Sequence, residues 1–192
     1  MMRLTYLAAF LPTLAFAECP TGADLATGIR VIDADDASDT YKTYSEHMVE
    51  SQYRYEPGEG ARSLLAQGVY LVLAQDIENG EVAAGTRSTF TYPVQPGQMP
   101  MPEPGGQWVA DVVLLDDKGL ESTTHQLSFG QETQFALGAC SYRMIPIEVL
   151  YAEDDGELLY YLPELGFALL GGIGVGADRE VFVYTSIEKV VP

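Results

Sequence analysis

Short runs of alternating polar and apolar residues recur along nearly the whole chain, whereas helical spacing is scarce. In the run from 47 to 55, Val49, Ser51 and Tyr53 share one strand face. Asn79-Gly80 separates two further runs, and both residues readily adopt the positive φ of a two-residue hairpin turn. Strands joined by such turns pair antiparallel. The sequence therefore predicts a mainly β fold: an antiparallel sandwich, roll or barrel of hairpins.

Only one segment favours a helix. Residues 61–67 (ARSLLAQ) combine good helix formers over about two turns and end at Gly68, so we expect at most one short helix. Acidic turns such as Asp116-Asp117-Lys118-Gly119 separate the later strands. We predict strands within residues 69–74, 86–92, 108–115, 120–129, 143–151, 158–162 and 180–187.

A proline-rich segment divides the chain. Pro93 to Gly106 (PVQPGQMPMPEPGG) holds five Pro and three Gly, which excludes a helix or a central strand. It is either a semi-rigid linker or exposed binding loop, or a long crossover within one β domain. A disulfide between the two halves would tie them together, which favours the crossover. We accordingly expect a single β-rich domain over residues 18–192.

The first seventeen residues have the features of a secretory signal peptide. Arg3 precedes the apolar run Leu4–Leu11, and Ala15-Phe16-Ala17 is a small-x-small cleavage site. A membrane anchor needs about 20 apolar residues, and Glu18 interrupts the run before that length. The rival interpretation is a lipidated Cys19. A lipidated cysteine normally follows a small residue, however, and Cys19 follows Glu18. The sequence predicts cleavage after residue 17 and a periplasmic or secreted mature chain without an integral membrane segment.

The chain has two cysteines, Cys19 and Cys140, and an exported chain with this content most simply forms one disulfide. The bridge would close a loop of about 120 residues, which contributes roughly 4–5 kcal/mol to stability when treated as chain entropy. Two free thiols or an intermolecular bridge are the alternatives. A redox-active pair is disfavoured because no Cys-x-x-Cys motif is present and no basic residue adjoins Cys19.

The charge balance excludes several partners. Asp and Glu number 28 against 10 Lys and Arg, for a formal net charge of -18. Binding to nucleic acid requires clustered Lys and Arg, and so does attachment to an anionic membrane surface. A hydrophobic content of 47% nevertheless excludes a disordered acidic chain. The composition is that of an acidic domain with a substantial core.

The sequence carries no established catalytic motif. It has no Gly-x-Ser-x-Gly elbow, no His-Glu-x-x-His and no Cys/His metal spacing. His47 and His125 each lie in a strand-like run, and His125 is expected to face inward with a hydrogen-bond partner. The glycine-rich stretch Gly171–Gly176 has no Lys and no helix start beside it, which favours a flexible hairpin loop over a phosphate site. We nominate no catalytic, cofactor-binding or metal-binding residue.

Two groups of side chains keep a binding alternative open. Asp33, Asp35, Asp36 and Asp39 have the oxygen ligands that calcium prefers, although an acidic turn explains them without metal. The acidic stretch at 153–156 is interpreted as a solvated turn. Several tyrosines can line a site for a sugar or an apolar ligand, although packing in strands is the default; they are Tyr41, Tyr44, Tyr53, Tyr55, Tyr160 and Tyr161.

The C-terminal third resembles the closing hairpins of small exported β-rich proteins of proteobacteria, which belong to families of unknown function. The resemblance rests on Cys140-x-Tyr142, on Ile145-Pro146-Ile147 and on the segment from Tyr160 to Gly166 (YYLPELG). It implies an exported protein with a β-rich fold and carries no catalytic residues.

These observations favour a non-enzymatic exported module that binds an envelope protein or a small ligand. The alternative is a carrier that encloses a small apolar molecule in a β-barrel or roll, because aromatic residues are frequent in the predicted strands. An enzyme of unfamiliar type is the third hypothesis. None of the three requires a cofactor.

Overall fold

The computed structural model describes residues 18–152 and 155–191, so the predicted signal peptide lies outside the described residues. Three short 3-10 turns occur at Gly22–Ala26, Pro96–Gln98 and Gly176–Asp178. The strands are β1 (Ile29–Asp33), β2 (Ser38–Ser45), β3 (Met48–Glu56), β4 (Glu59–Ala66), β5 (Tyr70–Glu78), β6 (Glu81–Val82), β7 (Ser88–Thr91), β8 (Gln107–Asp116), β9 (Gly119–Phe129), β10 (Thr133–Leu137), β11 (Cys140–Ala152), β12 (Asp155–Leu162), β13 (Phe167–Ile173), β14 (Glu180–Val181) and β15 (Tyr184–Lys189).

The prediction of a mainly β, antiparallel fold is confirmed. The strands form one sheet in which almost every neighbour is also the next strand along the chain, from β1 through β5, β7, β8, β9 and β11 to β14. The short strand β6 extends the β5 hairpin, and β10 continues along β11 where β9 ends. This simple meander follows from tight turns between successive strands.

The last segment of the chain closes the sheet on itself. β14 pairs with β13, and β15 pairs with β1. Between them, the Phe182 amide donates to the Gly171 carbonyl at 3.0 Å, and the Ala34 amide donates to the Val183 carbonyl at 2.9 Å. Residues 180–189 therefore bond to β13 on one side and to the β1 end on the other. The strands consequently enclose an interior, and the first and last strands protect each other's edges.

The helix predicted over residues 61–67 is wrong. Residues 61–66 belong to β4, where Ser63 lies opposite Ser51 of β3 and Ala74 of β5, and Gln67 lies in the following turn with a φ of 52°. Pairing on both sides satisfies the backbone of β4, whereas the helix preference of Ala and Leu is worth only tenths of a kcal/mol per residue. Among the described residues, no helix has the length and apolar character needed to span a bilayer.

The predicted tight turns are present. Asn79 and Gly80 have φ values of 53° and 82°, the left-handed conformations expected of the β5–β6 hairpin. In the β8–β9 turn, the Asp116 carboxylate accepts from the backbone amides of Lys118 and Gly119 at 2.8 and 3.2 Å. These local hydrogen bonds need no tertiary contacts, which explains why sequence patterns predict them.

One end of the closed sheet is filled by apolar side chains, and we call it the packed end. Gly68, in the β4–β5 turn, accepts a hydrogen bond at 2.8 Å from the amide of Ala168 in β13. These strands are not neighbours in the sheet, so the bond crosses the interior. Two clusters of buried side chains surround it. The first includes Leu137, Leu162, Leu165, Phe167 and Leu169, and the second includes Val69, Leu127, Phe129, Ile147 and Tyr161.

The N-terminal segment lies against the packed end. The Tyr142 hydroxyl donates to the Pro20 carbonyl at 3.0 Å, and the Gly22 amide donates to the Glu164 carbonyl at 2.8 Å. The predicted disulfide between Cys19 and Cys140 is present, with 5.7 Å between the two Cα atoms. This bridge attaches residues ahead of β1 to the start of β11, 121 positions away in the sequence.

The proline-rich segment from 93 to 106 connects β7 to β8, which are hydrogen-bonded neighbours. Met99 is buried in the second core cluster. The Tyr70 hydroxyl donates to the Pro100 carbonyl at 2.5 Å. The segment thus passes over the packed end and contributes a side chain to the core.

We expect Gly68→Ala to lower the free energy of unfolding by about 3 kcal/mol or more, because a Cβ there would lie 2.1 Å from the Gly166 carbonyl oxygen. Gly80→Ala is the matched control: Gly80 also has a positive φ, but nothing lies within 4 Å of its added Cβ. The control should cost about 1 kcal/mol from backbone strain alone. Urea unfolding measures both, and equal losses would show that the crossing contact at Gly68 is unimportant.

The disulfide should contribute about 4–5 kcal/mol to the free energy of unfolding, because it closes a loop of 121 residues. The double variant Cys19→Ala/Cys140→Ala should show this loss in urea unfolding, and wild type in reducing buffer should match it. A loss below about 1 kcal/mol would mean that the unfolded chain is already constrained in this region.

Candidate functional site

A cavity of about 680 Å³ occupies the interior of the sheet beyond the packed end. Most strands of the closed sheet contribute side chains to it, and nineteen of its 28 lining residues are aliphatic or aromatic. Its aromatic residues are Tyr41, Tyr53, Tyr70, Phe90, Tyr92, Tyr151, Phe182 and Tyr184. Ligand cavities in proteins have this size and this predominantly apolar lining.

The cavity has an apolar floor and an acidic rim. Its floor is shared with the second core cluster, through Val69, Leu127 and Ala168. At the opposite end, Glu121 and Asp155 line the rim and are exposed. They stand at the β8–β9 and β11–β12 connections, which successive antiparallel strands place at the same end of the sheet. The cavity therefore lies between a packed core and an acidic opening.

Small side chains leave the space open. Ala61 and Ser63 of β4 face the cavity together with Ser51 of β3 and Ala168 of β13. Large aliphatic side chains at these positions would extend the packed core into the cavity and gain stability from the apolar area buried. The chain instead has small side chains at these positions and forgoes the stability that burial of larger ones would give.

A polar group that we call the Glu157 group is formed by Tyr92, His125, Tyr151 and Glu157. The Tyr151 hydroxyl donates to Glu157 Oε2 at 2.8 Å, and the Tyr92 hydroxyl lies 3.2 Å from His125 Nδ1. The His125 and Tyr151 rings meet edge to face with centroids 4.6 Å apart. The Glu157 carboxylate thus lies beside one edge of a cluster of aromatic rings on the cavity wall.

Burial controls the protonation of the Glu157 group. It lowers the pKa of the His125 imidazole, which is therefore neutral at pH 7. It raises the pKa of the Glu157 carboxyl, against the opposing effect of the hydrogen bond from Tyr151. It also raises the pKa of the Tyr151 hydroxyl, and the neighbouring Glu157 charge adds to that rise. The group therefore has at most one charge at neutral pH, and that charge is negative.

A second polar group, the Asp39 group, consists of Asp39, Tyr41 and Ser51. The Ser51 hydroxyl donates to Asp39 Oδ1 at 2.7 Å. Burial raises the pKa of the Asp39 carboxyl, while hydrogen bonds from the Tyr41 and Ser51 hydroxyls act in the opposite direction. Tyr41 is fixed by stacking on Phe167, with ring centroids 3.9 Å apart. This carboxylate is held rigidly by neutral hydroxyl groups.

The two histidines lie in different environments. His125 is on β9, is 5% exposed and faces the cavity with Tyr92 as its partner, as the sequence suggested. The strand position predicted for His47 is wrong, because His47 lies in the β2–β3 turn with a φ of 62°. Such a turn requires a left-handed residue, a conformation that His adopts more readily than most. Its Nε2 lies 3.5 Å from Glu46 Oε1, on the outside of the protein.

The structure does not gather the four aspartates that were considered for calcium, although Asp33 and Asp39 both line the cavity. Asp33 Oδ1 accepts from the backbone amides of Asp35 and Ala37, each at 2.9 Å, which is the hydrogen bonding of a tight turn. Asp39 lies beyond the turn, on the cavity wall. Within residues 18–152 and 155–191, no three His, Cys, Asp or Glu side chains are grouped closely enough to hold a metal.

The other loops of interest are parts of hairpins. Gly171 and Gly172 belong to β13, and Gly174 and Gly176 have positive φ in the connection to β14. The stretch is therefore a strand end followed by a turn. In the acidic connection at 153–156, positions 153 and 154 lie outside the described residues, and Asp155 begins β12.

The tyrosines proposed from the sequence lie in three different environments. Tyr41 and Tyr53 line the cavity, whereas Tyr44 and Tyr55 are exposed to solvent. Tyr161 is in the second core cluster, and Tyr160 packs against the first. Four further tyrosines line the cavity that were not proposed from the sequence: Tyr70, Tyr92, Tyr151 and Tyr184. Tyr151 alternates with Val149 in a predicted strand, and that spacing was the available signal.

A smaller depression of about 370 Å³ lies on the outer face of β1, β2 and β3. Its lining is mostly charged and polar, and two of its charged groups are in ion pairs: Arg30 pairs with Glu188 at 3.1 Å, and Glu50 pairs with Arg62 at 2.5 Å. Exposed ion pairs of this kind contribute little and do not converge on a common point. The interior cavity is therefore the candidate site.

Comparisons with known protein families, with curated proteins and with solved structures find no match to this chain.

We expect Glu157→Gln to be more stable than wild type above the pKa of the folded-state carboxyl. Unfolded Glu157 titrates near its ordinary value of 4.5, and burial raises the pKa in the folded protein. Between these two values the folded state holds more protons, so the stability of wild type falls as pH rises through this window. The advantage of Glu157→Gln should disappear below pH 4.5, where both states of wild type are protonated.

Urea unfolding between pH 4 and pH 8 measures this difference. Glu81→Gln, on the exposed strand β6, removes the same charge from the outside and is the control for net charge. A Glu157→Gln variant less stable than wild type at pH 8 would show that the carboxylate is stabilised in the cavity rather than penalised.

Proposed function

We propose that the protein is a non-enzymatic exported binding protein that carries a small, largely apolar molecule in its interior cavity. The observation that carries the proposal is a cavity of about 680 Å³ in which nineteen of 28 lining residues are aliphatic or aromatic. Such a volume is in the range of sites that enclose most of the surface of a small ligand.

The architecture suits a container. Hydrogen bonding around the closed sheet makes the wall rigid, and the packed end supports the floor. A preformed site loses little conformational entropy when a ligand enters, which favours binding. The polar groups on the wall are few and held by neighbouring hydroxyls, as is typical of groups that orient a ligand.

The proposed export rests on the signal peptide predicted from the sequence and is supported by the disulfide. Disulfides persist in oxidising compartments such as the periplasm and are rare in the cytosol. The Cys19–Cys140 bridge joins the N-terminal segment to the packed end. A protein that carries a ligand outside the cytosol benefits from a fold stabilised in this way.

Native mass spectrometry of the protein produced with its signal peptide tests both parts of the proposal. The mass of the polypeptide should correspond to cleavage after Ala17, and a bound small molecule should add to that mass. Titration with the neutral fluorescent probe N-phenyl-1-naphthylamine then measures binding to the emptied protein. Fluorescence should rise with saturation at one probe per chain.

Ser63→Trp should reduce probe affinity at least tenfold, because the indole would fill space that the Ser63 side chain leaves open on the cavity wall. Ser122→Trp is the matched control, since Ser122 is an exposed residue of β9 that is absent from the cavity lining. It should bind the probe as wild type does. Equal binding by both variants, or no probe binding by wild type, would contradict the proposed function.

A further inference from the structure

The charged residues that line the cavity are all acidic. Asp33, Asp39, Glu121, Asp155 and Glu157 line it, and none of its 28 lining residues is Lys or Arg. The nine Lys and Arg in the described part of the chain all lie outside this lining. A ligand with a carboxylate or phosphate would meet five acids and no compensating cation, which is electrostatically unfavourable.

Several of the basic side chains are engaged elsewhere. Arg62 pairs with Glu50, Arg179 with Glu148, and Arg143 with Glu132 and Glu164. Lys189 pairs with Glu18 and Asp24 near the packed end. These positive groups neutralise acids away from the cavity, so the interior acids keep their negative potential.

Glu157 is the acid best placed to meet a ligand. Among the described residues, Tyr151 is the only side chain that donates a hydrogen bond to it. Asp39 by contrast has two hydroxyl partners, Tyr41 and Ser51. Because these hydroxyl groups are neutral, they do not compensate the negative charge of either carboxylate. The Glu157 carboxylate can also accept a further hydrogen bond.

The rings beside Glu157 favour a positively charged group. The His125 ring meets the Tyr92 and Tyr151 rings edge to face, with ring centroids 5.7 Å and 4.6 Å apart, and the Tyr151 hydroxyl donates to Glu157. Aromatic faces attract organic cations, and the attraction is stronger where water is excluded. A carboxylate beside such rings is a suitable counter-ion for an ammonium group with an apolar body.

We propose, on the premise that the cavity holds a small molecule, that this molecule is an organic cation whose ammonium group is bound by Glu157 and whose apolar body lies against the aliphatic and aromatic walls. The ammonium N–H groups donate to the Glu157 carboxylate and compensate its charge. The acidic rim attracts such a cation and repels an anion, which should also accelerate its entry.

The test is competition against bound N-phenyl-1-naphthylamine by three compounds with the same ten-carbon chain: decylammonium, 1-decanol and decanoate. The measurements are made at pH 7 and about 0.15 M salt, where long-range attraction by the net charge is screened. Decylammonium should compete at least tenfold better than decanol, and decanoate should be the weakest of the three.

Glu157→Gln should reduce the affinity for decylammonium about tenfold and leave the affinity for decanol unchanged. Glu81→Gln is the control that removes the same charge from the exposed strand β6, and it should leave all three affinities unchanged. Asp39→Asn is the second interior variant, with an expected effect on decylammonium smaller than that of Glu157→Gln.

The remaining outcomes distinguish this inference from the proposed function. If the three compounds compete equally, or decanoate competes best, the cation proposal is overturned and cavity binding stands. If Asp39→Asn alone weakens decylammonium, the assignment to Glu157 is wrong. If wild type binds neither the probe nor any of the three compounds, the proposed function fails and this inference fails with it.

Discussion

Closure of the antiparallel sheet by residues 180–189 is the constraint on which the rest of the structure depends. The segment bonds to β13 through Phe182 and to the end of β1 through Val183, and it brings the first and last strands of the meander together. Backbone amides and carbonyls that would otherwise form sheet edges thereby obtain partners. The closed wall creates an interior, and every inward-facing side chain must then either pack in a core or line a cavity.

The chain does both, at opposite ends. Near the N-terminal segment, the Gly68–Ala168 hydrogen bond crosses the interior and large apolar side chains fill the space around it. Beyond that point, small residues such as Ala61 and Ser63 face inward, and the space remains open. The packed end and the Cys19–Cys140 bridge stabilise the fold. Their contribution offsets the cost of a large cavity with buried carboxylates at the opposite end of the closed sheet. The residues that stabilise the fold and the residues that line the cavity thus lie at different ends of the closed sheet.

The sequence predicted the features that depend on neighbouring residues. Asn79-Gly80 forms its hairpin because its φ preferences are local, and the strand alternation around Val149 and Tyr151 follows from burial on one face. The helix predicted at 61–67 is wrong because hydrogen bonds from β3 and β5 outweigh local propensity. His47 was misplaced for a related reason: its turn was hidden inside a run with strand-like alternation. One-residue shifts in register exchange the two faces of a strand, so alternation alone does not identify which tyrosines face the interior.

The amino-acid sequence by itself determined the mainly β fold, the antiparallel hairpins and the strongly acidic charge, since each depends on composition or on residues close together in the chain. Its two cysteines favoured one disulfide, and the structure shows the pairing. Only the tertiary structure decided which face of each strand became the inside. Tyr151 and Glu157 meet across the β11–β12 hairpin, whereas Tyr92 and His125 come from the end of β7 and from β9, and no spacing in the sequence encodes the convergence of the two pairs. The charge of Glu157 acquires importance from its place on the cavity wall beside Tyr151, where it is partly shielded from water, because charge interactions strengthen as the surrounding dielectric falls.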